Sequence, residues 1–224
     1  MSLKNAISQI SIPSYSRNQE RFNTISHLLG LPFALAIFVM AVVLLINQKI
    51  NGFYFIGLAI FSTSAFLVYA ISSWYHFLDK EHKHKKLFRI IDHCTIYLLI
   101  AGTYTPICFV IMNEHIIGLV MLIIEWVSAL IGIVLNGFFF RYKMARIISL
   151  ILYILMGWLV LYTGGFIYME KMCFLFVLLG GITYTIGSLL YTIGHKNTAF
   201  HCVFHVFVIL STVLQTIGIF VLFF

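Results

Sequence analysis

The stretch AFHCVFHVFVIL, residues 199–210, opens the last apolar run of the chain and carries two imidazoles, His201 and His205, among Phe, Val, Ile and Leu. A segment this apolar belongs either in a large core or in a bilayer. The rest of the sequence decides between them. Hydrophobic residues make up 62% of the 224 and charged residues only 9%, against about 25% charged in a typical soluble domain. Such a chain cannot cover itself with polar surface. Its apolar residues also fall in blocks long enough to cross a bilayer, for which about 20 residues suffice. The sequence therefore predicts an all-α, single-domain integral membrane protein over residues 1–224. Seven transmembrane helices are expected near 26–46, 54–78, 88–112, 116–135, 146–163, 172–193 and 199–223, after a polar tail over 1–23. Helices are the expected form because backbone groups in lipid must be satisfied within the segment, and the alternation of a membrane barrel is absent.

Residues 1–23 hold no apolar h-region, so the first run is expected to be a retained span and not a cleaved signal. Cys94, Cys108, Cys173 and Cys202 all lie in apolar runs, without CxxC spacing, and read as buried packing thiols. The net charge is +7. In a soluble domain that would point to nucleic acid; in a membrane protein the placement of the charges matters more, and no nucleic-acid partner is expected. The expected surroundings are membrane lipids, and protein partners are not legible. Lys4, Arg17, Arg21, Lys80, Lys83, Lys85, Lys86, Arg89, Arg141, Lys143, Arg146 and Lys196 fall on one side of the expected spans, and only Lys49 and Lys171 on the other. The positive-inside rule then places the N-terminus in the cytoplasm and the C-terminus outside, in a plasma membrane. Reporter fusions check this: a reporter in 79–87 or 136–145 is expected to read cytoplasmic, and one at residue 50 extracytoplasmic. The His-rich connection EHKHKK (81–86) reads as a solvated basic loop against anionic headgroups rather than a metal site.

With that orientation, the unusual residues share one depth. His201 and His205 lie in the first turns of the seventh run, His76 in the last turn of the second, Asp92 about one turn into the third, and His27 at the start of the first. Residues four apart share a helix face, about 6 Å apart along the axis. His201 and His205 can therefore converge on one ion, and a third histidine from another helix would complete a three-His set that leaves zinc a position for water. Ser72 has the same spacing from His76 and can reach the site from the preceding turn. Ionisable groups within spans are costly and usually functional. His93, next to Asp92, points about 100° away and is not expected to be a ligand. Glu125, in the middle of the fourth run, is far from the site in depth and is expected either to be protonated or to contact a neighbouring helix.

The motifs ERFNTISH (Glu20, Asn23, Ser26, His27), SSWYH (Ser72, His76), IDHCTIYLLIAGTYTP (Asp92 to Pro106) and HCVFH (His201, His205) together resemble the hemolysin III branch of the progestin and adiponectin receptor superfamily, more distantly related to alkaline ceramidases. The resemblance runs from about Glu20 to the C-terminus. It implies seven helices, zinc held by His76, His201 and His205, Asp92 holding the water beside the metal, and Ser72 next to it. Glu125 is not part of the family pattern. The implied activity is zinc-dependent hydrolysis of a lipid-like amide or ester, with Asp92 as general base. Two further readings follow from the same resemblance: a pore-forming cytolysin, and a sensor or receptor of membrane state with structural zinc. No amphipathic inserting segment supports the cytolysin.

Overall fold

The computed structural model describes residues 7–193 and 197–224. Lys4 and Lys196 of the charge count lie outside the described residues. Helices account for nearly all of the rest: α1 (Arg17–Leu28), α2 (Gly30–Ile46), α3 (Gly52–Phe77), α4 (Lys85–Met112), α5 (Ile117–Phe139), α6 (Lys143–Gly157), α7 (Leu159–Tyr162), α8 (Lys171–Ile193) and α9 (Ala199–Val221). Among the described residues six spans are long and apolar enough to cross a membrane: α1–α2 taken together, α3, α4, α5, α8 and α9.

Two boundaries depart from the sequence expectation. The first helix starts at Arg17, inside the stretch expected as a polar tail. Ser16 and Gln19 form a capping box, with the Gln19 N–H on Ser16 Oγ at 3.3 Å and the Ser16 N–H on Gln19 Oε1 at 2.9 Å. Two otherwise orphaned N–H donors are thereby satisfied. Part of the polar set that disguised this helix points inward, namely Asn23, Ser26 and His27, while Arg17, Asn18 and Arg21 stay exposed.

The second departure is the run expected over 146–163, which is not one helix. It breaks after Gly157 and resumes as the four-residue α7. Tyr104 of α4 holds the break open. Its hydroxyl donates to the Gly157 carbonyl at 2.9 Å and accepts from the Val160 N–H at 3.3 Å. A break in an apolar environment persists only where its freed backbone groups find such partners.

Helix α4 sits between α3 and α5. A Cβ on Gly102 would come within 2.4 Å of Ser64 Oγ, and one on Gly132 within 2.1 Å of the Tyr97 ring. Both contacts need glycine, because small residues let membrane helices approach closely. The outer faces carry exposed Leu35, Val39 and Val43 on α2 and Val127, Leu130 and Val134 on α5, the lipid-facing side of the bundle.

The segment before α1 is strapped across the end of the bundle from which α4 starts. Ile10 is buried against Ile90 and Phe140. Lys86 donates to the Ser8 carbonyl, Arg89 to the Ser11 carbonyl, and Lys80 to Ser14 Oγ at 3.1 Å. The strap ends with Tyr15 stacked on His201, ring centroids 4.9 Å apart.

Candidate metal centre

His76 in the last turn of α3 meets His201 and His205 at the start of α9, all three buried. His205 Nε2 lies 3.1 Å from His201 Nε2, and His201 Nε2 lies 3.4 Å from His76 Nε2. Zinc–nitrogen bonds of about 2.0–2.1 Å at a tetrahedral angle separate two ligand nitrogens by about 3.3 Å. Two of the three Nε2 separations match neighbouring corners of one coordination tetrahedron, all three ligand atoms lie within 4.8 Å of one another, and the donor set fits a divalent ion of that kind.

The back of His76 is held as a metal ligand requires. Its Nδ1 is 2.5 Å from Glu20 Oε2 and 3.4 Å from Asn23 Nδ2. A proton on Nδ1 donated to the carboxylate leaves the Nε2 lone pair facing the other two histidines, the arrangement that fixes the tautomer and orientation of metal-bound imidazoles. Glu20 is held in turn by Lys85, whose Nζ lies 2.8 Å from Oε1. The same ammonium donates to the carbonyls of Tyr75 at 2.7 Å and Leu78 at 2.8 Å. Those carbonyls belong to the frayed end of α3, where intrahelical partners run out. One lysine therefore caps α3 and neutralises the acid that orients its histidine.

This corrects the reading of EHKHKK as wholly solvated. Its Lys85 is 0% exposed, while His82 and His84 remain exposed as expected. Lys85→Met is expected to lower stability by about 2 kcal/mol, since it strips partners from a carboxylate and two carbonyls at once. Glu20 is partly exposed, which moderates the cost. The check is a thermal melt of Lys85→Met, Glu20→Gln and the double variant. The double should cost less than the sum of the singles.

The remaining motif residues gather around the three histidines. His27 on α1 lies over His205, ring centroids 4.0 Å apart, and meets Tyr69 edge-on. It is outside the three-histidine group. Asp92 and Ser72 line one cavity with His201 and His205, the Ser72 hydroxyl facing the Asp92 carboxylate. His93 lines the same cavity but lies outside the three-histidine group, as expected: Nδ1 is 2.9 Å from the Arg89 carbonyl and Nε2 3.0 Å from Tyr191 OH. Glu125 is 0% exposed in α5, beside Tyr104 and Cys108 of α4. The contact with another helix is there, but neither carboxylate oxygen has a hydrogen-bond partner among the described residues. All four cysteines are free.

Tyr15 and Lys85 are the residues at this site that the sequence did not single out. Tyr15 stacks on His201 and meets His76 edge-on at 5.6 Å. Burial pushes its phenol pKa well above the ordinary value, so it meets the histidines as a neutral ring. The cavity has a volume of about 450 Å³ and runs from the histidines past Asp92 and Leu99 to Trp158 and Gln215.

Against known proteins, the profile of the family described as haemolysin-III related matches residues 15–216. The chain belongs to the haemolysin-III family. It is 32% identical over 197 residues to the hemolysin-3 homolog of Bacillus subtilis (strain 168), covering 87% of this chain and 90% of the relative. It is 33% identical over 196 residues to hemolysin-3 of Bacillus cereus, covering 85% of each. The family match begins at Tyr15 and so takes in the helix turn that carries Glu20 as well as all three histidines. A haemolysin-III protein of this helical make-up is a multi-pass membrane protein.

Proposed function

We propose that the three histidines hold zinc and that this haemolysin-III protein is a membrane-embedded hydrolase of a lipid-like amide or ester. One observation carries the reading: the histidine Nε2 atoms lie 3.1 and 3.4 Å apart, and two of these histidines, His201 and His205, line a largely apolar chamber that also holds a carboxylate, Asp92. Three histidine ligands leave zinc an open position, as in hydrolytic rather than purely structural sites. When bound, the ion supplies Lewis acidity, which polarises a carbonyl and acidifies water.

The chain's own residues do the rest. Glu20 keeps the His76 proton on Nδ1. Asp92, steadied by the Ser72 hydroxyl, is the base that takes a proton from the attacking water and returns it to the leaving amine or alcohol. The apolar chamber holds the acyl chain and keeps bulk water out, which strengthens every charge interaction inside it. The N-terminus is assigned to the cytoplasm, as the charge distribution requires.

The test pairs metal content with turnover. Protein purified without added metal is expected to contain about one zinc per chain by elemental analysis. It should hydrolyse a long-chain N-acyl amine or acyl ester in detergent, stop after chelation, and recover on adding zinc back. Purified protein with no bound metal, or turnover unchanged by chelation, would overturn the reading. The curated relatives are named for haemolysis. As a second reading, direct lysis predicts marker release from vesicles by the purified protein with or without chelator.

A further inference from the structure

The cavity has a direction. At one end it is lined by Lys143 and Arg146 in the first turn of α6, together with Asp92, His201 and His205 in the first turns of α4 and α9, and its mostly apolar lining extends to Trp158, past the end of α6, and Gln215 of α9. Gln215 lies ten residues past His205 on the same helix, about 15 Å further along the axis.

The charged end is not balanced. Among the described residues the ion pairs are His76–Glu20, Lys85–Glu20 and His93–Asp92. Glu20 is therefore taken, and neither Lys143 nor Arg146 has an acidic partner. Arg146 uses one nitrogen on the carbonyls of Phe140 and Arg141, at 2.9 and 3.3 Å, and it faces a second guanidinium, Arg89. The acid facing this group is Asp92, within reach of Arg89. Positive charge thus exceeds negative at this end of a largely apolar chamber.

A molecule that matches this order has an anionic head, a carbonyl linkage just below it, and an apolar tail. We infer that the chamber takes an anionic amphiphile, a lipid with a phosphate-type head held by Lys143 and Arg146 and its acyl chain directed toward Trp158. The assignment rests on the cavity being the substrate chamber proposed above. Its specific content is that an uncharged lipid with the same chain binds less well. Cations at a membrane protein's inner edge are common for topological reasons alone, and topology by itself makes no such distinction among ligands.

Trp158 lines the chamber and reports on occupancy without turnover. In a Trp74→Phe/Trp126→Phe background it is the sole tryptophan, since the chain has three. A lysophosphatidate with bromines on the acyl chain is titrated against a monoacylglycerol with the same brominated chain, in neutral detergent. The lysophosphatidate is expected to quench Trp158 saturably at a concentration about tenfold lower, a margin set by charge-assisted contacts to the head. Lys143 is solvent-exposed, so Lys143→Glu should fold; it should reverse the order of the two lipids. Lys143→Gln/Arg146→Gln should erase the difference. Inorganic phosphate in excess should not protect Trp158 from quenching.

Equal or better binding of the uncharged lipid to the parent overturns the assignment. So does a preference that survives Lys143→Glu, or protection by free phosphate, which would make the site one for a soluble anion. Repeating the titration on chelated protein separates the two proposals. A preference retained after chelation shows that head-group binding does not need the metal, and metal-loaded protein that keeps the preference but never turns the lipid over leaves lipid binding standing and removes the hydrolase.

Discussion

Alanine at His76, His201 or His205 is expected to empty the centre and lower the melting temperature in detergent by roughly 10 °C. The expectation follows from the geometry of the three Nε2 atoms. With one gone, two nitrogens remain on an ion that ordinarily wants at least three protein ligands. Zinc binding in protein sites is worth about 10–16 kcal/mol, so losing one of three ligands costs about 3–5 kcal/mol. In a chain of this size each kcal/mol moves the midpoint by about 2–4 °C. Because metal binding is also folding free energy, chelation of the parent should reproduce the shift, and chelating a variant should add nothing. His93→Ala and His82→Ala are the controls. His93 is committed to the Arg89 carbonyl and Tyr191, and His82 is exposed, so both should keep stoichiometric zinc. Five variants that all retain the metal would return these histidines to ordinary packing.

The second large effect is Asp92→Asn. Here the metal should stay while turnover falls by about 10²–10⁴-fold, the usual contribution of a general base. Asparagine keeps the shape and can still meet the Ser72 hydroxyl, but it cannot take a proton. Since Asp92 lines the chamber without belonging to the three-histidine group, elemental analysis should find the parent's zinc content. Loss of zinc would make Asp92 a ligand; undiminished hydrolysis would remove it from the chemistry. Ser72→Ala should have a smaller effect in the same direction, because it loosens the carboxylate without removing it.

Much of this was legible in the sequence. Six of the apolar runs became helices within a few residues of where hydropathy put them, and the i, i+4 spacing of His201 and His205 put both rings on one face. What could not be read came from partners far away in the chain. The break after Gly157 is stabilised by a hydroxyl more than fifty residues earlier, Tyr104, and nothing local in 146–163 announces it. Lys85 looks like one more charge in a basic connection; only the return of α1 alongside α3 brings Glu20 to it. The early start of α1 was hidden for the same reason. Glu20, Asn23 and His27 read as part of a solvated tail until the site that takes them in is in place.

The strap over 7–16 has a consequence of its own. Tyr15 lies directly against two of the three imidazoles, and the segment before it is tied down by Lys80, Lys86 and Arg89. An ion held by the histidines would leave past this seal or through the adjoining chamber. Equilibrium affinity belongs to the ligands, but the time an ion stays belongs to the strap. Metal loading and loss could therefore proceed at very different speeds without a change in any ligand, depending on whether residues 7–16 are seated.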